Sequence, residues 1–222
     1  MSGELTGKGE LTGKLETERK FDVDLDFVVP DPRNLGGAGP ELAQPPEVEL
    51  LAARYYDTDD LRLAASGVTL RRRTGGHDAG WHLKLPVGGH TRREVHAPLG
   101  AGDEAVPADL AALVASWAGG RPLRPVATLG TRRTVWRIAG PGGETLAELA
   151  DDLVTGHREA LPALAGRGAR AAADLAWREI EVELVTGSPA ILAAAAERLC
   201  QSGARPSGSA NKLGRLLAAP SA

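Results

Sequence analysis

Residues Glu16-Thr17-Glu18-Arg19-Lys20-Phe21-Asp22-Val23 permit few folds, because as a strand they carry two incompatible faces. Successive side chains of an extended chain point to opposite sides, so Glu16, Glu18, Lys20 and Asp22 share one face and Thr17, Arg19, Phe21 and Val23 the other. Glu16 and Glu18 then stand about 7 Å apart along the strand, a spacing at which they grip a hard cation only with help from elsewhere. The adjacent Lys20 suits an anion bound to the same cation. A charged face turned inward is costly unless it lines a wet cavity or meets opposite charges, so the rest of the sequence has to supply partners.

It does so with strands of the same two-faced kind. In 67–74, Thr69, Arg71 and Arg73 alternate against Val68, Leu70 and Arg72; in 80–86, His82 and Lys84 oppose Trp81, Leu83 and Leu85. In 91–98, Arg92, Glu94 and His96 oppose Arg93, Val95 and Ala97, and in 176–185, Glu179, Glu181 and Glu183 oppose Ile180, Val182 and Leu184. Further strand signals cover 50–57, 131–139 and 144–154, and Gly75-Gly76 and Gly88-Gly89 suit antiparallel hairpins. An amphipathic helix is predicted over 105–118, with Leu110, Leu113, Val114 and Trp117 on one side, and helices over 189–200 and 211–217.

The charges are sorted along the chain. Basic residues dominate 66–93, whose only acid is Asp78, while carboxylates dominate 148–152 and 179–183. A solvated sheet needs no such sorting. A barrel that closes its acidic ends beside its basic middle gains a cavity with walls of opposite sign. The expected fold is therefore α+β and mainly β: an eight-stranded antiparallel closed tunnel barrel with flanking helices, in one domain.

The totals agree with this. With 222 residues, 42% hydrophobic and 25% charged, and a net charge of -3, the composition is that of a soluble globular protein. No apolar run reaches membrane-spanning length and the polar amino terminus lacks a secretory pattern, so a cytoplasmic location with no membrane partner is expected. The tandem hexapeptide Gly-Glu-Leu-Thr-Gly-Lys reads as a leader within 1–14, followed by a domain over 15–218 and a tail over 219–222. Its glycine-lysine pairs lack the spacing of a phosphate-binding P-loop. The lone Cys200, in an alanine-rich helix, is expected to be a buried, inert thiol. Only five of the 26 basic residues are lysines, and three of them, Lys20, Lys84 and Lys212, fall in the candidate site.

Phosphoryl transfer suits this residue set. Arg71, Arg73, Lys84, Arg92 and Arg133 match phosphate oxygens, arginine as a planar fork and lysine as a point charge. Glu16, Glu18 and Glu181 offer oxygen ligands to Mg²⁺ or Mn²⁺. Such a metal offsets developing charge and positions a water for in-line attack, without a covalent nucleophile.

These motifs resemble the CYTH domain, or triphosphate tunnel metalloenzyme, superfamily. The likeness rests on Glu16, Glu18 and Lys20, then Tyr55-Tyr56-Asp57-Thr58, Leu70-Arg71-Arg72-Arg73, Trp81-His82-Leu83-Lys84 and Arg92-Arg93-Glu94. It continues through Arg132-Arg133-Thr134-Val135-Trp136, Glu148 with Asp151-Asp152, the alternating glutamates from Glu179 to Glu183, and Ser209 with Lys212. The resemblance implies metal ligation by Glu16, Glu18, Glu179 and Glu181. It implies a triphosphate clamp of Lys20, Arg71, Arg73, Lys84, Arg92, Arg133 and Lys212, with Glu94 and Asp152 as inward carboxylates. Glu16, Glu18, Lys20, Lys84 and Arg133 are the catalytic set. Where many members have a lysine two residues before the arginine matching Arg133, this chain has Thr131, which leaves Arg132 or another base to replace it.

The expected activity is metal-dependent hydrolysis of inorganic triphosphate to diphosphate and phosphate. Thiamine triphosphate hydrolysis and a class IV adenylate cyclase-like reaction share the clamp, and a non-catalytic polyphosphate-binding module is a different class of function. Nucleic-acid binding is disfavoured by the interleaved carboxylates and the absence of exposed aromatics near the basic strands. His77, His90 and His157 read as loop residues without a role, and Trp81, Trp117, Trp136 and Trp177 as packing between barrel and helices.

Overall fold

The computed structural model describes residues 11–35, 41–42, 45–89, 91–100, 104–161 and 173–219. Residues 1–10 of the predicted leader, His90 and the glycine- and alanine-rich stretch at 162–172 lie outside that set. In chain order the strands are β1 (Thr12–Val23), β2 (Glu41–Leu42), β3 (Glu47–Asp57), β4 (Thr69–Thr74), β5 (Gly80–Gly88), β6 (Thr91–Ala97), β7 (Arg124–Ala139), β8 (Thr145–Arg158), β9 (Ala173–Leu184) and β10 (Arg205–Pro206). The helices are α1 (Arg62–Ala65), α2 (Ala108–Ala118), α3 (Pro189–Gln201) and α4 (Lys212–Ala218).

Eight strands close in the order β1-β6-β5-β4-β3-β7-β8-β9, with β9 returning to β1, and all these pairings are antiparallel. The two-residue strands β2 and β10 attach to β7 and β1. Closure is made by β1 itself: Thr12 to Thr17 pair with β6, and Glu18 to Val23 pair with β9. That stagger is what a tilted, closed barrel requires. The closed tunnel barrel expected from alternation is thus the observed fold.

The apolar faces of the strands point outward and are covered by helices. Leu110, Val114 and Ala118 of α2 pack on Leu70, Trp81, Leu83 and Val95, while Ile191, Leu192, Ala195 and Leu199 of α3 pack on Phe21, Leu149, Ile180 and Val182. α4 is different. Its Leu213, Leu216 and Leu217 pack with Tyr55, Leu129, Val154 and Trp177, residues that continue the inward alternation of β3, β7, β8 and β9. A short helix therefore plugs one end of the barrel. Arg158, fully buried, donates to the carbonyls of Leu216, Leu217 and Ala219 at 3.4, 3.4 and 3.1 Å and so satisfies the open carboxyl end of α4.

Several boundaries differ from the sequence reading. β1 begins at Thr12, so the last residues of the second hexapeptide are strand rather than leader. β7 begins at Arg124, not 131, because Pro125 sits where the β3 pairing shifts register between Tyr55 and Tyr56, and a proline is tolerated at such a bulge. α2 begins at Ala108, since the residue before Pro107 is held out of helical conformation. β8 runs on to Arg158, which places His157 in a strand, where its Nδ1 meets Asp174 at 2.7 Å, rather than in a loop. Cys200 is exposed, not buried; the core face of α3 is Ile191, Leu192, Ala195 and Leu199, and Cys200 falls beside it.

Candidate functional site

Alternation carries the sorted charges into the barrel. Glu16, Glu18, Glu94, Asp152, Glu179 and Glu181 are all buried, as are Arg73 and Lys212. β1 also contributes Lys20, β4 Arg71, β5 Lys84 and β7 Arg133; with Glu183 of β9 they line a cavity of about 70 Å³. The space is small because the charges pair with one another across it.

Each ammonium bridges carboxylates. Lys84 Nζ lies 2.6 Å from both Glu16 oxygens and 3.8 Å from Glu94. Lys20 donates to Glu18 at 2.9 Å and also to Glu181. Arg133 forks onto Asp152, with Nε to Oδ1 at 2.7 Å and Nη2 to Oδ2 at 2.6 Å, and Nη2 reaches Glu181 Oε2 at 2.6 Å. Lys212, the first residue of α4, brings its Nζ within 2.8 Å of Asp152 and 2.7 Å of Glu179 and Glu181. Burial opposes charge on Glu181, but Lys20, Lys212 and Arg133 together hold it well below the ordinary carboxylate range. Burial likewise works against Lys212, whose three carboxylates nevertheless push it well above an ordinary ammonium.

Arg71 and Arg73 depart from this pairing. Arg71 Nη1 donates to the Tyr55 hydroxyl at 3.2 Å, and Arg73 pairs with the exposed Asp78. Neither Nε has a hydrogen-bond partner among the described residues. Burial, then Arg71 and Arg133, pull Arg73 down to about 9, so it stays charged at neutral pH but is destabilised as a cation. Buried guanidinium groups held close together with spare donors form an anion-binding wall.

The same interior holds an all-oxygen donor set. One oxygen each of Asp152, Glu179 and Glu181 lies within 4.8 Å of the others, all three residues being buried. Glu179 Oε2 accepts from the Trp177 indole at 2.6 Å, whereas its Oε1 accepts no hydrogen bond among the described residues despite the nearby Lys212 charge. Three buried carboxylates whose oxygens converge suit a hard divalent cation, so this group could bind a metal.

The predicted residues distribute as follows. Glu179 and Glu181 of the four expected metal ligands converge, with Asp152, expected on the substrate side, as their third member. Glu16 and Glu18 lie in the same cavity but are engaged by Lys84 and Lys20. Arg92 is half-buried and donates from Nη2 to the Ala210 carbonyl. Glu94 accepts from or shares a proton with His82 Nδ1 at 3.0 Å, and the His82 ring meets His96 edge-on at 4.9 Å. Arg132 is exposed and so does not replace the lysine missing at Thr131. Asp151 faces away and pairs with Arg178 at 2.8 Å. His77 lies between Glu49 and Arg137, at 2.9 and 3.0 Å.

Glu183, Tyr55 and Trp177 also belong to this interior and were not among the predicted site residues. Glu183 was signalled by its phase with Glu179 and Glu181; the polar tips of Tyr55 and Trp177 were masked by their apolar bulk. Asp57, within the Tyr55-Tyr56-Asp57-Thr58 motif, is structural: it accepts from the amides of Thr58, Leu63 and Ala64 at 2.6, 2.9 and 2.9 Å and anchors α1. A second space of about 670 Å³ adjoins the barrel wall where β6 gives way to β10 along β1. Lys20 and Arg92 mark its polar side and Ala193, Ala196, Cys200 and Ala210 its apolar side.

A closed barrel with this paired interior defines a class, and residues 14–215 match the CYTH domain family. The chain belongs to that family. It is 44% identical over 175 residues to two uncharacterised proteins of Mycobacterium tuberculosis, from strains CDC 1551 and H37Rv, a match covering 77% of this chain and 34% of theirs. The chain thus spans about a third of the length of these relatives. Its fold is similar to a crystal structure of a proposed adenylate cyclase from Bacillus halodurans, with 19% identity, 93% of this chain and 99% of that chain covered, and a TM-score of 0.59. Among the described residues no helix is long and apolar enough to cross a membrane.

Proposed function

We propose that the barrel hydrolyses inorganic triphosphate to diphosphate and phosphate with Mg²⁺ or Mn²⁺. The observation that carries this reading is that Arg71 and Arg73, with guanidinium nitrogens unpaired among the described residues, line the same cavity as the carboxylates Glu16, Glu18 and Glu181, the last of which belongs to the buried acidic cluster. Water adds to a terminal phosphorus while the bridging oxygen leaves with diphosphate, and one proton is released at neutral pH. Glu16, Glu18, Glu179 and Glu181, with Asp152 added, hold the metal, which when bound offsets phosphoryl charge and lowers the pKa of a water. Arg71, Arg73 and Arg92 bind the chain of phosphates, and Arg133 and Lys212 orient the carboxylates around it. Because the free space is only about 70 Å³, Lys20 and Lys84 turn from Glu18 and Glu16 onto phosphate oxygens as the substrate enters. The ion pairs are the closed state of the clamp.

The test is phosphate release from inorganic triphosphate, ATP and thiamine triphosphate side by side, with Mg²⁺, Mn²⁺ or chelator. Metal-dependent release from inorganic triphosphate is expected. No release from any of them, with tight triphosphate binding, points instead to a polyphosphate-binding module.

The 670 Å³ groove supports a second reading, an organic triphosphate whose organic group sits against Ala193 and Ala196. Cys200, the only cysteine of the chain, lines that groove and reports on it. Protection of its thiol from a disulfide reagent by ATP or thiamine triphosphate, but not by inorganic triphosphate, would favour this second reading.

A further inference from the structure

We infer that Lys212 is a resident counter-ion of the Asp152–Glu179–Glu181 cluster, displaced when a divalent metal binds and then turned toward the triphosphate. The inference rests on the metal-dependent reading above and adds an order of events to it. Three buried carboxylates with oxygens within 4.8 Å of one another repel and need a cation between them to remain ionised. Lys20 meets one of the three and Arg133 two. Lys212 meets all three, at 2.7 to 2.8 Å, and is the cation nearest Glu179.

An ammonium and a divalent ion compete for the same oxygens, because a small hard cation draws its ligands to about 2.0–2.6 Å and repels a second positive charge in that space. Lys212 Nζ lies 2.7 Å from Glu179 Oε1, the contact that a bound metal would have to take over. The lysine also lines the phosphate cavity together with Arg71 and Arg73. Its stem starts at the capped amino end of α4, where Asn211 Oδ1 accepts from the Gly214 amide at 2.7 Å, so the head can swing while the helix stays anchored. Freed from the carboxylates, it joins Arg71, Arg73, Arg92, Lys20 and Lys84 as a further cation for the anion. Metal and triphosphate then each favour the binding of the other, and by linkage to the same extent.

The experiment is Mn²⁺ titration by calorimetry on the wild type, Lys212→Met and Lys212→Gln, with and without a hydrolysis-resistant imido-bridged triphosphate. In the wild type, the analogue is expected to tighten Mn²⁺ at least tenfold. In the variants Mn²⁺ alone should bind at least tenfold more tightly than in the wild type, and the enhancement should shrink. Variants that bind Mn²⁺ with wild-type affinity and keep the enhancement overturn the inference while leaving the metal reading standing. Absence of Mn²⁺ binding in the wild type, with or without the analogue, removes both. A measurement on the unmodified protein covers the case in which the variants do not fold: acylation of the Lys212 amine by an amine-reactive reagent, followed by mass spectrometry, should accelerate on adding Mg²⁺, and unchanged or slower modification overturns the displacement.

Discussion

Arg133 and Asp152 meet as a fork, Nε to Oδ1 at 2.7 Å and Nη2 to Oδ2 at 2.6 Å, across a directly paired position of β7 and β8. Both lie inside the barrel, and Asp152 is fully buried. Arg133→Ala leaves Asp152 and Glu181 without their shared guanidinium, and breaking a buried pair in this way costs about 3–5 kcal/mol. Arg133→Lys keeps the charge but loses the fork. We expect the alanine variant to lose about that much in urea denaturation, and the lysine variant to fold better yet turn over triphosphate at least tenfold more slowly. Equal activity of Arg133→Lys and the wild type would show that the fork has no part in the chemistry.

Arg73 makes the opposite prediction for stability. It is buried beside Arg71 and Arg133, and its Nε finds no hydrogen-bond partner among the described residues. Removing it relieves repulsion and leaves Asp78 in water. Arg73→Ala should therefore denature at the same or a higher urea concentration than the wild type. A charge-assisted hydrogen bond contributes about 1.5–3 kcal/mol, so its loss raises the Michaelis constant for triphosphate roughly ten- to a hundredfold. A lower denaturation midpoint with an unchanged Michaelis constant would make Arg73 a structural residue.

The fold and the polarity of the interior could be read from period-two alternation, because a charged face that recurs on strand after strand has only one economical place to go. The same logic placed Glu16, Glu18, Glu94, Glu179 and Glu181 inside; it also puts Arg132 on the face opposite Arg133, which rules out the replacement offered for the lysine missing at Thr131. It did not reveal which charges would meet. Lys84 crosses from β5 to Glu16 on β1, and Lys212 arrives from α4 on three carboxylates of β8 and β9. Such contacts depend on barrel stagger and on the docking of a short helix, neither of which leaves a periodic trace. Pro125 hid the start of β7 by looking like a breaker while sitting at a bulge. Cys200 was misplaced because an alanine-rich helix gives little contrast between its buried and open sides.

Glu18 separates metal use from anion binding. It is buried and its Oε2 takes a 2.9 Å hydrogen bond from Lys20. Glu18→Gln keeps the shape and removes one negative charge that a hard cation would use. Metal-dependent phosphate release should fall by two orders of magnitude or more, while triphosphate binding measured by calorimetry without metal persists, since Arg71, Arg73 and Arg92 are untouched. Normal hydrolysis by this variant would remove Glu18 from the metal-binding set.

Acid should open the barrel from within. Burial raises the cost of charge on Glu18, Asp152 and Glu181, but Lys20 for the first, Lys212 and Arg133 for the second, and all three cations for the last outweigh it and hold these carboxyls below their ordinary values of 4.5, 3.8 and 4.5. The unfolded chain therefore binds protons first as pH falls, so their contribution is complete above about pH 4.5 and is lost progressively as pH falls through the folded-state values. Glu183 runs the other way: burial, then Glu16, push its carboxyl up, so it weakens the fold as pH rises through its own titration. Glu94 is also held low, against its burial, by His82 and Lys84, so with four interior carboxyls against one, urea midpoints should hold steady through neutral pH and drop steeply below about pH 4. Glu181→Gln removes the carboxylate that meets Lys20, Arg133 and Lys212, so the variant should start less stable at pH 7 and lose less on acidification. Parallel acid losses in the two proteins would mean that groups outside the barrel interior set the acid limit.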